Sequence, residues 1–181
     1  MALFGAYSVD ETVIQDESVI MDSEFYLPFA DDVNFVITSP FGTRVDPLTN
    51  VANSSHRGVD IGVPVGTEIL SAASGIVTLV GNSSTGLGNY VYINHVIDNK
   101  TYITVYAHMK NDSIVVEKGQ IVKAKDKIGV VGNTGRVFPK PSLDNPDAGT
   151  HLHFELHDTI RKLDGTTELD PTYIFQKGDN N

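Results

Sequence analysis

The sequence predicts one all-β domain in the form of a sheet, sandwich or barrel. Its 181 residues, 40% of them hydrophobic, suit a single domain with its own core. Sixteen glycines and eight prolines separate short runs rich in valine, isoleucine and threonine, which is the pattern of strands joined by tight turns. No segment shows a sustained helical period over about ten residues. Short strands at regular spacing therefore indicate an all-β fold.

Eight segments carry the strand pattern. The first ends at the turn Ser39-Pro-Phe-Gly, and the Asp98-Asn99 turn separates two of the longer strands. A further segment, residues 170–175, follows the last strand. The predicted strands cover residues 35–38, 67–70, 75–80, 89–95, 101–109, 113–117, 127–131 and 150–157.

The charge distribution divides the chain. Residues 1–33 carry eight acids and no lysine or arginine, and they show no regular helical or strand period. We expect an acidic N-terminal arm over residues 1–33 that wraps one domain over 34–176, followed by a tail over 177–181. The net charge of −10 repels phosphates and anionic lipid, so nucleic acid and membrane surfaces are excluded as partners.

The sequence also lacks cysteine, a secretory signal and a long apolar run, and this limits the chemistry and the location expected of the protein. The chain has no cysteine, so disulfides and cysteinyl metal sites are excluded. Its beginning lacks the basic region and apolar stretch of a secretory signal, and no run of about 18 apolar residues predicts a membrane span. The protein is therefore expected to stay inside the cell or to leave by another route, such as a virion, lysis or a longer parent chain.

Four histidines and one aspartate in three short motifs carry the chemistry. The motifs are His56-Arg-Gly-Val-Asp60, Tyr106-Ala-His108 and His151-Leu-His153. A catalytic zinc site takes three protein ligands and leaves a fourth position open for water. Three of the five residues can be ligands, and two histidines remain to move protons. This is the set of groups that a zinc hydrolase needs.

Strand alternation gives residues 150–157 a polar and an apolar face. The polar face consists of His151, His153, Glu155 and His157, and the apolar face of Leu152, Phe154 and Leu156. Two histidines at this spacing can both approach one metal ion, or one can bind while the other stands beside the water. The alternative is a surface strand whose histidines have no function. The entirely apolar opposite face argues against this alternative.

The first motif is extended, because Gly58 and Pro64 disfavour a helix. In an extended segment His56 and Asp60 share a face, and Gly58 between them has no side chain to block a metal ion. The alternative is a hydrogen-bonded loop.

His108 is expected at the end of its strand, on the same face as Tyr106, where a sheet gives way to a cleft. The alternative is a half-exposed histidine at a strand terminus. Two further histidines are interpreted differently: His95 as a structural residue and His157 as peripheral to the site.

Taken together, the motifs resemble the signature of the lysostaphin-type (LytM-like) zinc endopeptidases of bacterial cell walls. The resemblance covers roughly residues 35–175. It extends to segments in the family's order, namely Ser39-Pro-Phe-Gly-Thr-Arg44, Gly66-Thr-Glu-Ile, Gly75-Ile-Val, Gly119-Gln-Ile-Val, Ile128-Gly-Val-Val-Gly-Asn-Thr-Gly135 and Asp170-Pro171.

The resemblance implies an antiparallel β-sheet or sandwich, similar to a barrel-sandwich hybrid, with an active-site groove walled by loops. It implies that His56, Asp60 and His153 bind one zinc ion, while His108 and His151 serve the catalytic water and the developing oxyanion. The implied substrate is the peptide part of peptidoglycan, in stems or cross-bridges. The implied place of action is the bacterial cell wall, outside the cell or from a virion. Nothing in the sequence indicates an oligomeric state.

Two features depart from the family pattern. The loop of residues 136–149, with three prolines, is longer than in many relatives, and we expect it to wall the groove. In it, Phe138 and Leu143 are candidates to contact the substrate, with Lys140 near any carboxylate. Some relatives also place a tyrosine just before the first ligand, and none occurs here between Phe41 and His56.

Two other functions compete with the enzyme. A non-catalytic member of the same fold would bind the wall or a partner protein, although the complete set of metal-binding residues favours catalysis. A carrier or scaffold module is the other alternative, because residues 116–129 are similar to lipoyl- and biotinyl-type β modules. That function leaves the histidines unexplained.

Overall fold

The computed structural model of the chain describes residues 22, 24–46, 49–52, 54–158 and 167–175. Within these residues the predicted all-β fold is confirmed, since they form twelve strands and only one helix, of four residues. The elements are β1 (Val36–Ser39), β2 (Gly42–Arg44), β3 (Ser54–His56), β4 (Val59–Gly62), β5 (Glu68–Leu70), β6 (Gly75–Ser83), β7 (Gly88–Ile97), β8 (Lys100–Met109), β9 (Ile121–Val122), β10 (Lys127–Val130), β11 (Leu152–Asp158), β12 (Glu168–Leu169) and α1 (Thr172–Phe175). Most of the predicted acidic arm and all of the predicted tail lie outside the described residues.

One antiparallel sheet of eight strands organises this part of the chain. Its order is β1-β4-β11-β8-β7-β6-β9, with β12 paired to β11. The long strands β7 and β8 meet at the predicted Asp98-Asn99 turn, where φ is 49° and 60°. Two-residue hairpin loops require such positive φ values, which asparagine and aspartate tolerate. The described residues also form two small antiparallel sheets, β2–β3 and β5–β10.

Seven of the eight predicted strands are present, and one prediction is wrong. Residues 113–117 form no strand. They follow a tight turn at Asp112, where φ is 57°, and the Ser113 hydroxyl donates to the carbonyl of Lys110. Val115 donates one backbone bond to Ile128, but no ladder continues from it. Five short strands of two to four residues (β2, β3, β4, β9 and β12) were not predicted. A segment of that length is too short to show an alternation of polar and apolar residues.

The core lies against one face of the large sheet. Strands β4 and β11 supply fully buried residues, which are Val59, Ile61, Leu152, Phe154 and Leu156. Phe25 and Phe29, from the end of the predicted arm, join the same cluster. The backbone there also bonds to the domain, since Leu70 N donates to the Pro28 carbonyl. In the described part of the chain, no helix is long and apolar enough to cross a membrane.

Candidate metal centre

Strand register places Asp60 beside His153. In the antiparallel pair β4–β11, Asp60 lies opposite His153, and Val59 opposite Phe154. Because side chains alternate along a strand, Val59 and Phe154 enter the core while Asp60 and His153 point to the other face. The two faces predicted for residues 150–157 are therefore confirmed.

His56, the last residue of β3, completes a cluster of three side chains. Its Nε2 lies 3.1 Å from Asp60 Oδ1 and 3.1 Å from His153 Nδ1, and His153 Nδ1 lies 2.9 Å from Asp60 Oδ1. Gly58 allows β3 and β4 to approach β11 this closely, since a Cβ on it would lie 2.3 Å from the Phe154 carbonyl oxygen. The structure thus brings together the three residues that the sequence indicated as metal ligands.

The outer hydrogen bonds of the two imidazoles determine which nitrogen faces the cluster. His56 Nδ1–H donates to the Pro40 carbonyl at 2.7 Å, and His153 Nε2–H donates to Glu155 Oε1 at 2.9 Å. In the neutral rings the remaining nitrogens are acceptors, and they face the acceptor Asp60 Oδ1. Three acceptor atoms that converge without a donor call for a cation, and two imidazoles with one carboxylate suit zinc. The residues present therefore fit the predicted ion.

In the metal-free protein a proton takes the place of the cation. Burial alone would lower the pKa of His153, but hydrogen bonds with Asp60 and Glu155 raise it to about 9. Burial would likewise raise the pKa of Asp60, yet its contacts with the imidazoles of His151, His153 and His56 hold it well below its usual range. At neutral pH, Asp60 is therefore ionised and His153 carries the proton.

Glu155 connects the cluster to His157. Its Oε1 accepts from His153, and its Oε2 accepts from His157 Nε2 at 2.6 Å. Burial raises the pKa of Glu155, but the two histidines outweigh it and lower the pKa to about 2. Glu155 is thus an ionised group that orients His153, a role that the sequence analysis missed. The available signal was its spacing, two residues beyond His153 on the same face. His157 lies one hydrogen bond further from the cluster, in keeping with its predicted peripheral place.

Arg44 was also missed as a residue of the site. Its Nη1 lies 3.1 Å from Asp60 Oδ2 and contacts Ser39 Oγ. Asp60 Oδ1 is thereby left to face the imidazoles. β2 pairs with β3, with Gly42 opposite His56, so Arg44 belongs to a strand that lies directly beside the first histidine of the cluster. No local sequence pattern indicates such a pairing.

A bulge in β8 places His108. Between Asn89 and Val91 of β7 the register shifts, so that β8 contains one extra residue, and His108 has φ of 58°. Tyr106 stays fully buried beside Phe154 on the core side. The prediction that Tyr106 and His108 share a face is therefore wrong, because the bulge interrupts the alternation.

His108 and His151 lie next to each other beside the cluster. Their ring centroids are 4.7 Å apart, and His151 Nε2 is 3.5 Å from Asp60 Oδ1. His108 Nδ1–H donates to the Thr134 carbonyl and His151 Nδ1–H to the Gly149 carbonyl, both at 2.8 Å. Each neutral ring therefore keeps Nε2 as a proton acceptor. Burial, followed by the positive charge of neighbouring histidines, lowers the pKa of His108 to about 3.

His95, by contrast, is remote from this cluster. It is buried, and its ring nitrogens lie 3.0 Å from the Ser74 carbonyl oxygen and 2.7 Å from Thr104 Oγ1. Burial lowers its pKa to about 4. The interpretation of His95 as a structural residue is confirmed.

An open groove lies over the five predicted site residues. His56, Asp60 and His153 are called the metal-type cluster below. One cavity of about 250 Å³ is lined by this cluster and His108 and is bounded by Arg136 and Phe138. A second cavity, of about 370 Å³, is bounded by Asp60, His151 and Phe138. The loop of residues 136–149 thus forms part of the groove wall, as predicted.

The chain matches peptidase family M23 over residues 54–170, a range that holds all five residues. The peptidoglycan DD-endopeptidase ShyA of Vibrio cholerae is 37% identical over 126 residues, which are 69% of this chain and 25% of that protein. The murein hydrolase activator NlpD of Escherichia coli is 35% identical over 117 residues, 65% of this chain and 27% of that protein. A crystal structure of a zinc-containing peptidase from Vibrio cholerae gives a TM-score of 0.58 at 36% identity, covering 74% of this chain and 36% of that one.

These relatives are longer proteins, and the chain spans only 25% and 27% of the two whose sequences are compared. The match to M23 nevertheless covers more than half of this chain and includes the strands that build the metal-type cluster. The resemblance to the lysostaphin-type endopeptidases, first drawn from the motifs, is confirmed. The chain therefore belongs to peptidase family M23.

Proposed function

We propose that this chain is a zinc-dependent endopeptidase that hydrolyses peptide bonds in the stems or cross-bridges of peptidoglycan. The observation that carries the proposal is the convergence of three acceptor atoms, from His56, Asp60 and His153, next to two further histidines. Membership of a peptidase family and the similarity to a peptidoglycan DD-endopeptidase support it. One zinc ion per chain would be held by these three residues.

Each partner of the three ligands has a role in holding the ion. Glu155 fixes His153 with Nδ1 inward, and the Pro40 carbonyl fixes His56 with Nε2 inward. Arg44 occupies Asp60 Oδ2 and so presents Oδ1 to the ion. Such outer partners orient metal ligands and raise their basicity.

Bound there, zinc supplies a Lewis acid that polarises the scissile carbonyl and lowers the pKa of a coordinated water. His108 and His151 perform the proton transfers. Both keep Nε2 as an acceptor, because Nδ1–H of each is committed to a backbone carbonyl. One takes the proton of the attacking water and returns it to the leaving amine, a contribution of about 10²–10⁴-fold. The other, when protonated, donates to the oxyanion.

We also propose how the chain is divided into segments and where it acts. Residues 34–176 form the catalytic domain, residues 1–33 an acidic arm and residues 177–181 a tail. The enzyme acts at the bacterial cell wall, outside the cell or from a virion. The segment 24–33 belongs to the arm by composition, but its Phe25 and Phe29 pack in the core of the domain.

A second candidate function is that of a non-catalytic member of the family that binds the wall or a partner protein. The similarity to NlpD, which is named a murein hydrolase activator, favours it. The enzyme accounts for more of the site, because a binding protein has no need of His108 and His151 beside the cluster.

Zinc depletion and restoration test the proposed function. The full chain is stripped with a chelator, reloaded with one equivalent of zinc and incubated with purified peptidoglycan, and the soluble fragments are analysed by mass spectrometry. We expect new amino termini from the reloaded protein and none from the stripped one. Equal fragment patterns from both, or no fragments from the reloaded protein, would contradict the proposal.

A further inference from the structure

We propose that Phe138 contacts the substrate peptide next to the scissile bond and helps to determine which side chain is accepted there. The proposal rests on the proposed function, since it names a specificity determinant of the same groove. Phe138 belongs to the loop of residues 136–149, which leads to His151 and then into β11, the strand that carries His153.

Phe138 lies where the two cavities of the groove meet. The first cavity holds the metal-type cluster, and the second runs past Thr38 and Val45. Both are lined by Phe138, Asp60 and His151. A peptide that extends from one cavity into the other must therefore pass Asp60, His151 and the Phe138 ring.

The ring is available for such a contact. Phe138 is 57% exposed, whereas the preceding Val137 is 2% exposed and anchors the loop in the protein. Single exposed apolar residues are common on protein surfaces. This ring, however, borders a concave site into which polar groups converge, which is the usual setting of an aromatic residue that binds a ligand. The other two loop residues considered from the sequence, Leu143 and Lys140, line neither cavity.

An ion pair across the groove holds the start of the loop. Arg136 Nη2 lies 3.1 Å and 3.0 Å from the two carboxylate oxygens of Asp46, which is largely buried in the connection between β2 and β3. The same carboxylate accepts from Thr49 N at 2.9 Å. The segments on the two sides of the groove are thereby joined next to Phe138.

The end of the loop is held as well. Asn133 Nδ2 donates to the carbonyls of Pro146 and Ala148, at 2.8 Å and 3.0 Å. Gly149 adopts φ of 70° and packs against the Pro139 carbonyl, where a Cβ would lie at 2.3 Å. With both ends of the loop held, the backbone that carries Phe138 is in place before a substrate arrives, and less conformational entropy is lost on binding.

The lining of the second cavity contains few large apolar groups. Besides Phe138, its uncharged residues include Thr38, Ser39 and Val45, and His151 also borders it. The two charged residues at its border, Arg44 and Asp60, are paired with each other at 3.1 Å. Phe138 therefore supplies the large apolar ring of this lining, and its removal should change which substrate side chains are accepted there.

The test compares three variants with the wild-type chain at equal zinc content: Phe138→Ala, Phe138→Tyr and Leu143→Ala. Leu143 is the matched control, since it lies in the same loop and is 102% exposed. The substrates are a wall-derived peptide that the wild-type chain cleaves and derivatives with alanine, leucine or lysine at either residue flanking the cleaved bond. We expect Phe138→Ala to lower kcat/KM on the alanine peptide by about tenfold, mainly through KM. We also expect it to change the relative kcat/KM on the alanine, leucine and lysine peptides. Leu143→Ala should keep both properties, and Phe138→Tyr, which retains the ring, should lie closer to the wild-type chain than Phe138→Ala does.

Unchanged kcat/KM and unchanged side-chain preference in Phe138→Ala would overturn the proposal. Failure of the zinc-loaded wild-type chain to cleave any peptide would instead count against the proposed function. In that event, co-sedimentation of the same variants with purified peptidoglycan decides whether Phe138 contacts the wall. Equal retention of Phe138→Ala and the wild-type chain would then overturn the proposal.

Discussion

His153 and Glu155, two residues apart on β11, share a hydrogen bond of 2.9 Å that turns His153 Nδ1 toward Asp60. The bond links the metal-type cluster to a second buried carboxylate, and His157 holds the other oxygen of that carboxylate. The proposed zinc site therefore includes a residue that does not itself reach the ion.

Glu155→Gln should weaken zinc binding by about 10–100-fold while the fold is kept, the usual effect of removing a ligand's outer partner. The amide still reaches His153, but it lacks the negative charge that stabilises the ligand. The affinity is measured by competition with a chromophoric chelator. His157→Ala serves as the matched comparison, and we expect a smaller loss because it acts one bond further away. Wild-type affinity in Glu155→Gln would show that the hydrogen bond does not support the metal.

His153→Ala should lose most of its zinc, because only one imidazole and one carboxylate of the cluster remain. Elemental analysis of protein purified without added zinc measures the content. We expect about one ion per wild-type chain. His151→Ala is the control, since it removes a neighbouring histidine that is not a proposed ligand. Full zinc retention in His153→Ala would remove this residue from the ligand set.

Zinc binding near pH 7 should release about one proton, because ligands bind in their deprotonated form. In the metal-free protein the pKa of His153 is raised from 6.5 to about 9, so its ring is protonated at that pH. Calorimetric titrations in two buffers of different ionisation enthalpy give the number of protons released. No release would contradict the raised pKa.

The same shift adds a pH-dependent contribution to the stability of the metal-free fold. Because the pKa of His153 is higher in the folded than in the unfolded chain, its stabilising contribution is complete below pH 6.5 and is lost as the pH rises through about 9. Denaturant unfolding of the metal-free protein across this window measures the loss, with His153→Ala as the reference that lacks it.

A chain that begins at Asp31 should be less stable than one that begins at Asp22, but it should keep the chemistry. The shorter chain lacks Phe25 and Phe29, which are 7% and 1% exposed, and deleting one buried phenylalanine side chain costs about 3–5 kcal/mol. The free energy of unfolding of both chains, measured with denaturant, gives the difference. Under conditions where both are folded, we expect equal zinc content. A folded shorter chain without activity on substrates that the longer chain cleaves would assign the arm a part in catalysis.

The sequence predicts the features of this molecule that depend on local pattern. Alternation along residues 150–157 predicted which side chains of β11 enter the core and which reach the site, because that strand has no bulge. The Asp98-Asn99 turn was predicted for a similar reason, since the residue types alone favour the positive φ that the hairpin needs.

Features that depend on distant pairing were not predicted. The contact of Arg44 with Asp60 arises only when β2 pairs with β3, and both strands are too short to show alternation. The bulge that turns His108 away from the face of Tyr106 results from the register of β7 against β8. Register of this kind is decided by packing between strands and not by the composition of either one.

The catalytic roles of His108 and His151 provide the most direct test of the proposed enzyme. Cleavage of purified peptidoglycan is followed by the rate at which new amino termini appear, alongside the zinc content of each protein. We expect the zinc-loaded wild-type chain to cleave, and His108→Ala and His151→Ala to keep zinc while losing about 10²–10⁴-fold in rate. A zinc-loaded wild-type chain that releases no new termini, or variants that cleave at the wild-type rate, would contradict the proposed mechanism.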